Sequence, residues 1–206
     1  MESLIIGFGG EAGHGKSTCA NIAEQWFLEN GYSVKVISFA DKLKEVCKIM
    51  FRLSEKDLNT QIGKSTYRNH IRTTPREIMQ KFGTEVCREG IIRHLPTFSE
   101  GGRTIWTWNV ERDILECAAD VILIPDVRFP DELQMLRNFG CIFINVIREV
   151  EVSTDEKQKH SSETGLPDAD YLIMNDGLMT DLEEKIKALL IKNTYQEEAD
   201  QTFSQP

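Results

Sequence analysis

Residues 9–18 read GGEAGHGKST, and from Gly10 to Ser17 they fit the pattern G-x-x-x-x-G-K-[ST] without a gap. Each residue type in that spacing has a use around a triphosphate. Gly10, Gly13 and Gly15 let backbone N–H groups turn inward toward phosphate oxygens. Lys16 adds a point charge for the β- and γ-phosphates. Ser17 offers its hydroxyl to Mg²⁺. Thr18 follows at a helix start, where unpaired N–H groups and the helix dipole favour an anion. His14, between two glycines, is expected to be exposed, at the edge of the nucleotide and without a catalytic role. The loop follows an apolar run and opens a helix-compatible stretch, which is the context it needs.

A second set of residues bears on where the held phosphate goes. Between Gln61 and Lys81 the chain carries Lys64, Arg68, Arg72, Arg76 and Lys81, with Glu77 as the single acid. The first four fall at intervals of four. A solvated helix face would carry mixed signs, and Pro75 argues against one continuous helix through all of them. The electrostatic reading is an acceptor that is itself a phosphate. Two polyanions brought together need charge neutralisation and in-line positioning, and arginine forks supply both. Such an acceptor already has an anionic oxygen, whereas a hydroxyl acceptor would want a carboxylate base nearby.

A third stretch, IPDVRFPDE from Ile124 to Glu132, places Asp126 and Arg128 just past an apolar strand. Asp126 could hold Mg²⁺ through water, receive a donor from the acceptor, or form a buried ion pair with Arg128. Arg128 could meet a phosphate. Asp131 and Glu132 suit the first turn of a following helix.

These groups need a frame. Leu4–Gly9, Ser33–Phe39, Asp120–Pro125, Cys141–Ile147 and Tyr171–Met174 read as five short buried strands. Helical stretches alternate with them: Ser17–Asn30, Asp41 to about Phe51 with Asp41 as cap, Thr74 to about Phe82, Thr84–His94, Ile105–Cys117, Pro130–Phe139 and Leu178–Lys192. Residues 52–73 show no clear period. Continuous apolar strands alternating with helices predict an α/β three-layer sandwich with a parallel sheet covered on both faces. Ligands then belong at the carboxyl ends of the strands. One domain is expected over residues 1–193, with a helical acceptor-binding region at about 46–95. Residues 148–168 are polar and lid-like, and the tail 194–206 is expected to be disordered.

Composition narrows the class. The chain has 206 residues, 40% hydrophobic and 28% charged, as in ordinary globular proteins. A net charge of −9 makes it a poor candidate for tracking a nucleic acid polymer. Cys19, Cys47, Cys87, Cys117 and Cys141 are odd in number and lack C-x-x-C spacing, which argues for thiols in a reducing compartment. The N-terminus lacks the basic region of a signal peptide, and no apolar run suits a membrane span. The expected location is the cytoplasm, that of the host cell if the gene is a phage's. A homodimer is compatible with this reading, and no motif fixes it.

Together these motifs resemble those of the bacteriophage deoxynucleoside monophosphate kinases. The resemblance rests on the phosphate loop, FADKLKE at 39–45, TPREIMQKFGTE at 74–85, IPDVRFPDE at 124–132, HSSETGL at 160–166 and NDG at 175–177. It covers about residues 4–190 and is loosest over 46–73. It implies a P-loop kinase fold with a five-stranded sheet in the order 2-3-1-4-5. It also implies transfer of a phosphoryl group from ATP, with Mg²⁺, to a deoxynucleoside monophosphate. On this resemblance Lys44, Arg76, Gly83, Thr84 and Trp108 border the acceptor site, joined by the basic residues Arg68 and Arg72. Asp126, Arg128 and Glu132 stand between the two nucleotides. Arg148 and His160 close over the ATP phosphates, and Asn175 with Asp176 lies near the adenine. Trp108 could instead be core, and His160 a surface histidine. The alternatives are another small-acceptor kinase, such as a dephospho-coenzyme A kinase, or a non-catalytic nucleotide-binding module. The latter is disfavoured by the absence of a guanine-specific N-K-x-D stretch.

Overall fold

The computed structural model describes residues 3–148, 166 and 168–202, with side chains described through Thr194. Five parallel strands, β1 (Leu4–Gly9), β2 (Val34–Val36), β3 (Val121–Ile124), β4 (Ile142–Ile147) and β5 (Tyr171–Met174), form one sheet in the order β2-β3-β1-β4-β5. The expected order is therefore the observed one. Register aligns the strand ends: Gly7 pairs with Ile124 on one side of β1, and Gly9 with Asn145 on the other. The segments after β1, β3, β4 and β5 thus emerge along one edge.

Burial explains the layers. On one face, α1 (Lys16–Glu29) and α9 (Met179–Thr202) pack Cys19, Ala23, Phe27, Leu182, Ile186 and Leu190 against Ile6, Phe8, Leu123 and Ile144. On the other, α7 (Ile105–Leu115) and α8 (Pro130–Arg137) bring Trp106, Val110, Ile114, Leu133 and Leu136 to Ile5, Ile124 and Phe143. Phe8, Phe27 and Phe143 are fully buried, each contributing about 2–3 kcal/mol from apolar area alone.

The region between β2 and β3 is helical: α2 (Phe39–Phe51), α3 (Glu55–Asn59), α4 (Gln61–Ser65) and α5 (Pro75–Lys81). A small core of Cys47, Leu53, Leu58 and Ile78 holds them together. The last of these continues through a π-helical segment, Phe82–Glu89, into α6 (Gly90–His94).

Several element limits differ from expectation. Helix α2 starts two residues early because Ser38, not Asp41, caps it, accepting from the Ala40 N–H at 3.2 Å. Helices α3 and α4 have five residues each, too short to show a period. Each is capped by a side chain, Ser54 and Thr60. Thr74 and Pro75 do open α5 as predicted, but no break follows at Gly83. Helix α9 runs through Thr202, where a disordered tail was expected from Thr194.

Candidate active site

The phosphate loop joins β1 to α1, and its shape rests on glycine at two points. Gly10 has φ +132°, and a Cβ there would lie 2.2 Å from the Val146 carbonyl oxygen. Gly15 has φ +99°, and a Cβ there would lie 2.4 Å from Asn175 Nδ2. Other residues are strained in such a backbone, and these two positions also lack the room. The loop tip is pinned from the far strands. Asn175 Nδ2 donates to the His14 carbonyl at 2.9 Å, and the Asn175 N–H donates to Ile147 O at 2.7 Å. His14 is not exposed as expected: its Nδ1 lies 3.2 Å from Val146 O and its side chain is 12% accessible.

Lys16 folds back on its own loop, donating to the carbonyls of Gly10 (2.8 Å) and Glu11 (2.7 Å). Burial, followed by the nearby Arg128 guanidinium, lowers its ammonium to about 8, against the opposing pull of Asp126 and Glu11. Ser17 is exposed on the first turn of α1 and Thr18 is half-buried. No hydrogen bond engages either hydroxyl among the described residues.

A run of cations leads away from Lys16. Arg128 is exposed beyond β3, and no side-chain partner holds its guanidinium among the described residues. It is a charge neighbour of Lys16 and of Lys64. Half-buried Lys64, on α4, has its ammonium lowered first by burial, then by Lys44, Arg76 and Arg128. Arg76 Nη2 donates to the neutral Gln61 Oε1 at 2.8 Å, and Lys44 pairs with Asp41 at 3.1 Å. Five cations from α1, α2, α4, α5 and the β3 end are thus grouped, with Asp41 paired to Lys44 and Asp126 and Glu11 acting on Lys16. Arg148 is exposed just past β4 on the same edge.

Other expected site residues are committed elsewhere. Asp126 is 9% accessible, and both of its oxygens are engaged. Oδ1 accepts the Phe39 N–H (3.0 Å), and Oδ2 accepts Ser38 Oγ (2.7 Å) and the Ala40 N–H (2.9 Å). It anchors the start of α2 and forms no ion pair with Arg128, so it is not the open strand-end acid the sequence suggested. Glu132 is 3% accessible; its Oε2 accepts the Arg128 and Phe129 N–H groups at 2.8 and 3.1 Å. Its Oε1 lies 2.5 Å from Arg88 Nη2. This placement opposes the expected substrate contact and supports the helix-start reading. Arg68 is also corrected: it pairs with buried Asp57 through Nε (2.8 Å) and Nη2. Ser54 donors and then Arg68 hold that carboxyl at about 2. Arg72 sits exposed with φ +55° on the turn closed by the Arg68–Thr73 bridge, outside the cation group around Lys64.

Gly83 lets the π-helical segment approach α2, since a Cβ would meet Leu43 at 2.7 Å. Its carbonyl accepts Trp106 Nε1 at 2.9 Å. Trp106 is the core tryptophan of α7. Trp108 is half-buried and meets the Phe98 ring edge-on at 5.9 Å. Thr84 is half-buried, and exposed Asp176 lies 3.4 Å from Lys185. His160 and residues 149–165 of the expected lid lie outside the described residues.

The family model for deoxynucleotide monophosphate kinase matches residues 24–186. The chain belongs to the deoxynucleotide monophosphate kinase family. A protein of Acanthamoeba polyphaga mimivirus, provisionally named for the same activity, is 28% identical over 84% of this chain and 89% of its own. The deoxynucleoside-5'-monophosphate kinase of Escherichia phage T5 is 28% identical over 70% of this chain and 59% of its own. The deoxynucleotide monophosphate kinase of Enterobacteria phage T4 is 32% identical over 56% and 44%. The chain therefore spans about half the length of the two phage relatives. Mycobacterium tuberculosis APS kinase aligns over 92% of this chain and 98% of its own, at 11% identity and a TM-score of 0.47.

In this family member, sequence reasoning missed three features. Ser38 was hidden because the apolar pattern hid the true helix start. Lys64 was noticed as a charge but not placed in the site, because α4 is too short to show a face. Arg88 carried no motif, and only the fold brings it to Glu132, 44 residues away.

Proposed function

We propose that this chain catalyses ATP + deoxynucleoside monophosphate → ADP + deoxynucleoside diphosphate, supplying precursors for DNA synthesis, and that it does so in the host-cell cytoplasm. The observation that carries the reading is the continuous run Lys16, Arg128, Lys64, Lys44 and Arg76, which raises its own repulsion until anions enter. ATP phosphates would draw Lys16 away from the carbonyls of Gly10 and Glu11. The acceptor phosphate would lie among Lys64, Lys44 and Arg76. Arg128, a charge neighbour of both Lys16 and Lys64, would meet charge developing on the transferring group. The acceptor oxygen is already anionic, so the fixed Asp126 is not needed as a base.

The residues fit Mg²⁺ as a guest of the nucleotide. Among the described residues no group of three or more His, Cys, Asp or Glu could hold a metal. The Ser17 hydroxyl is open at the first turn of α1 and would take one position on the ion, the phosphates taking others. Bound there, Mg²⁺ would neutralise phosphate charge. Asp126 then acts through α2, which carries Lys44. His14 and Asn175 shape the loop, and Arg148 stands where it could reach the phosphates.

The test is ADP release with Mg-ATP and a panel of deoxy- and ribonucleoside monophosphates. Acceptor-dependent release with at least one deoxynucleotide is expected, and the panel reads which bases are taken. Release that ignores every monophosphate, or appears instead with dephospho-coenzyme A, overturns the reading.

A further inference from the structure

Two segments far apart in the chain meet at one buried cluster. Arg88, on the π-helical segment, has a side chain 8% accessible. Its Nη1 pairs with Asp131, its Nη2 with Glu132 Oε1, and its guanidinium lies 3.8 Å from the centre of the Phe129 ring. The Arg88 Nε is buried and has no partner among the described residues. The second oxygen of Glu132 holds the backbone N–H of Arg128. One carboxylate therefore touches both the acceptor-side helices and the backbone of the residue that carries the cleft's cation.

Stability is a weak reason for this arrangement. Burying a guanidinium and a carboxylate costs about as much as their attraction returns, and apolar residues of similar size often do as well. Burial pushes the Glu132 carboxyl up to about 7 against the pull of Arg88, so the cost is visible here. What an arginine fork adds is geometry, because two donors on a rigid plane fix distance and angle.

We propose that Arg88 and Glu132 are positioning residues that tie the placement of helices 75–94 to the backbone of Arg128, and so set where its guanidinium meets the transferring phosphate. Neither residue touches substrate. The proposal rests on the kinase reading and on Arg128 acting in the cleft. When the acceptor-side helices settle around a monophosphate, the link carries that position to Arg128 without a contact between Arg88 and ligand.

A double-mutant cycle on the full chain separates this role from a merely structural one. Arg88→Met should lower kcat with deoxynucleotide about ten-fold or more while ATP binding stays within about two-fold. In an Arg128→Ala background the same change should cost no more than about two-fold, because the group it positions is gone. Glu132→Gln keeps the volume and one oxygen for the backbone N–H groups but turns an amide N–H₂ toward Arg88. It should behave as Arg88→Met does, and it carries the cycle if Arg88→Met does not fold. Arg88→Lys, which keeps charge and loses the fork, should remain nearer to the Met variant than to the parent. Losses that multiply in the double variants, or a folded Glu132→Gln protein with parental kcat, overturn the proposal. A parent protein that releases no acceptor-dependent ADP would instead refute the functional reading.

Discussion

Replacing Asp126 by alanine should destabilise the protein before any nucleotide or metal is present. The Phe39 N–H is buried with Asp126 Oδ1 as its acceptor at 3.0 Å, and leaving it unpaired costs about 1–3 kcal/mol. The Ala40 N–H retains Ser38 Oγ at 3.2 Å and adds little. Losing a negative charge beside the first turn of α2 adds about 0.5–1 kcal/mol. The sum is about 1.5–4 kcal/mol, which for a chain of this size lowers Tm by roughly 3–16 °C. Asp126→Asn keeps one acceptor oxygen, and Ser38 can reorient toward the amide, so it should cost about 1 kcal/mol. Thermal and urea melts in EDTA, without nucleotide, read both values. An acid that served only to hold Mg²⁺ would leave these melts unchanged. Parental melting of Asp126→Ala would therefore refute the anchoring role and return Asp126 to the metal.

Three further outcomes are expected. Arg76→Ala should raise the deoxynucleotide KM by about 10–100-fold through a lost charge-assisted contact, with ATP binding almost unchanged; equal weakening of both would remove Arg76 from the acceptor site. In the free protein Lys16 titrates near 8 rather than 10.5, so the unfolded chain holds the extra proton between those values. The cost of the buried ammonium is thus fully present below about pH 8 and relieved as pH rises toward 10.5. Bound phosphates should restore the charge, so ATP binding should take up a proton and weaken as pH rises above 8, while Lys16→Arg should abolish that slope; a flat ATP Kd from pH 7 to 9.5, measured by calorimetry, contradicts this. Arg68→Met should lower stability by about 1–3 kcal/mol by stranding part of Asp57, with KM values for both substrates within about two-fold of the parent. A large rise in the deoxynucleotide KM at parental stability would place Arg68 in the site after all.

The phosphate loop was legible because its work is done by consecutive residues, so spacing in the chain is spacing around the phosphate. The strands were legible for a related reason: a strand buried on both faces is a continuous apolar run, as VILI at 121–124 shows with all four residues buried. The basic residues were a harder case. Lys64, Arg68, Arg72 and Arg76 look equivalent at intervals of four, yet Arg68 is bound to Asp57, Arg72 tops a turn, and Lys64 and Arg76 join the cation group. A carboxylate 11 residues away decided the first of these.

By itself the sequence determined the phosphate loop and the alternation of apolar strands with helices, since each is written in local runs of residue type; the sheet order came only with the resemblance that the motifs carry together. Tertiary structure alone decided what the charged groups do. Asp126 and Glu132 lie within seven residues of each other, in a segment that spacing suggests is catalytic, but Asp126 is turned to the Phe39 and Ala40 N–H groups and Glu132 to Arg88, all from other parts of the fold, while the second oxygen of Glu132 caps its own helix start. A charge acts over a few ångströms through whatever it faces, and the facing partner of a buried carboxylate is set by packing rather than by its neighbours in the chain.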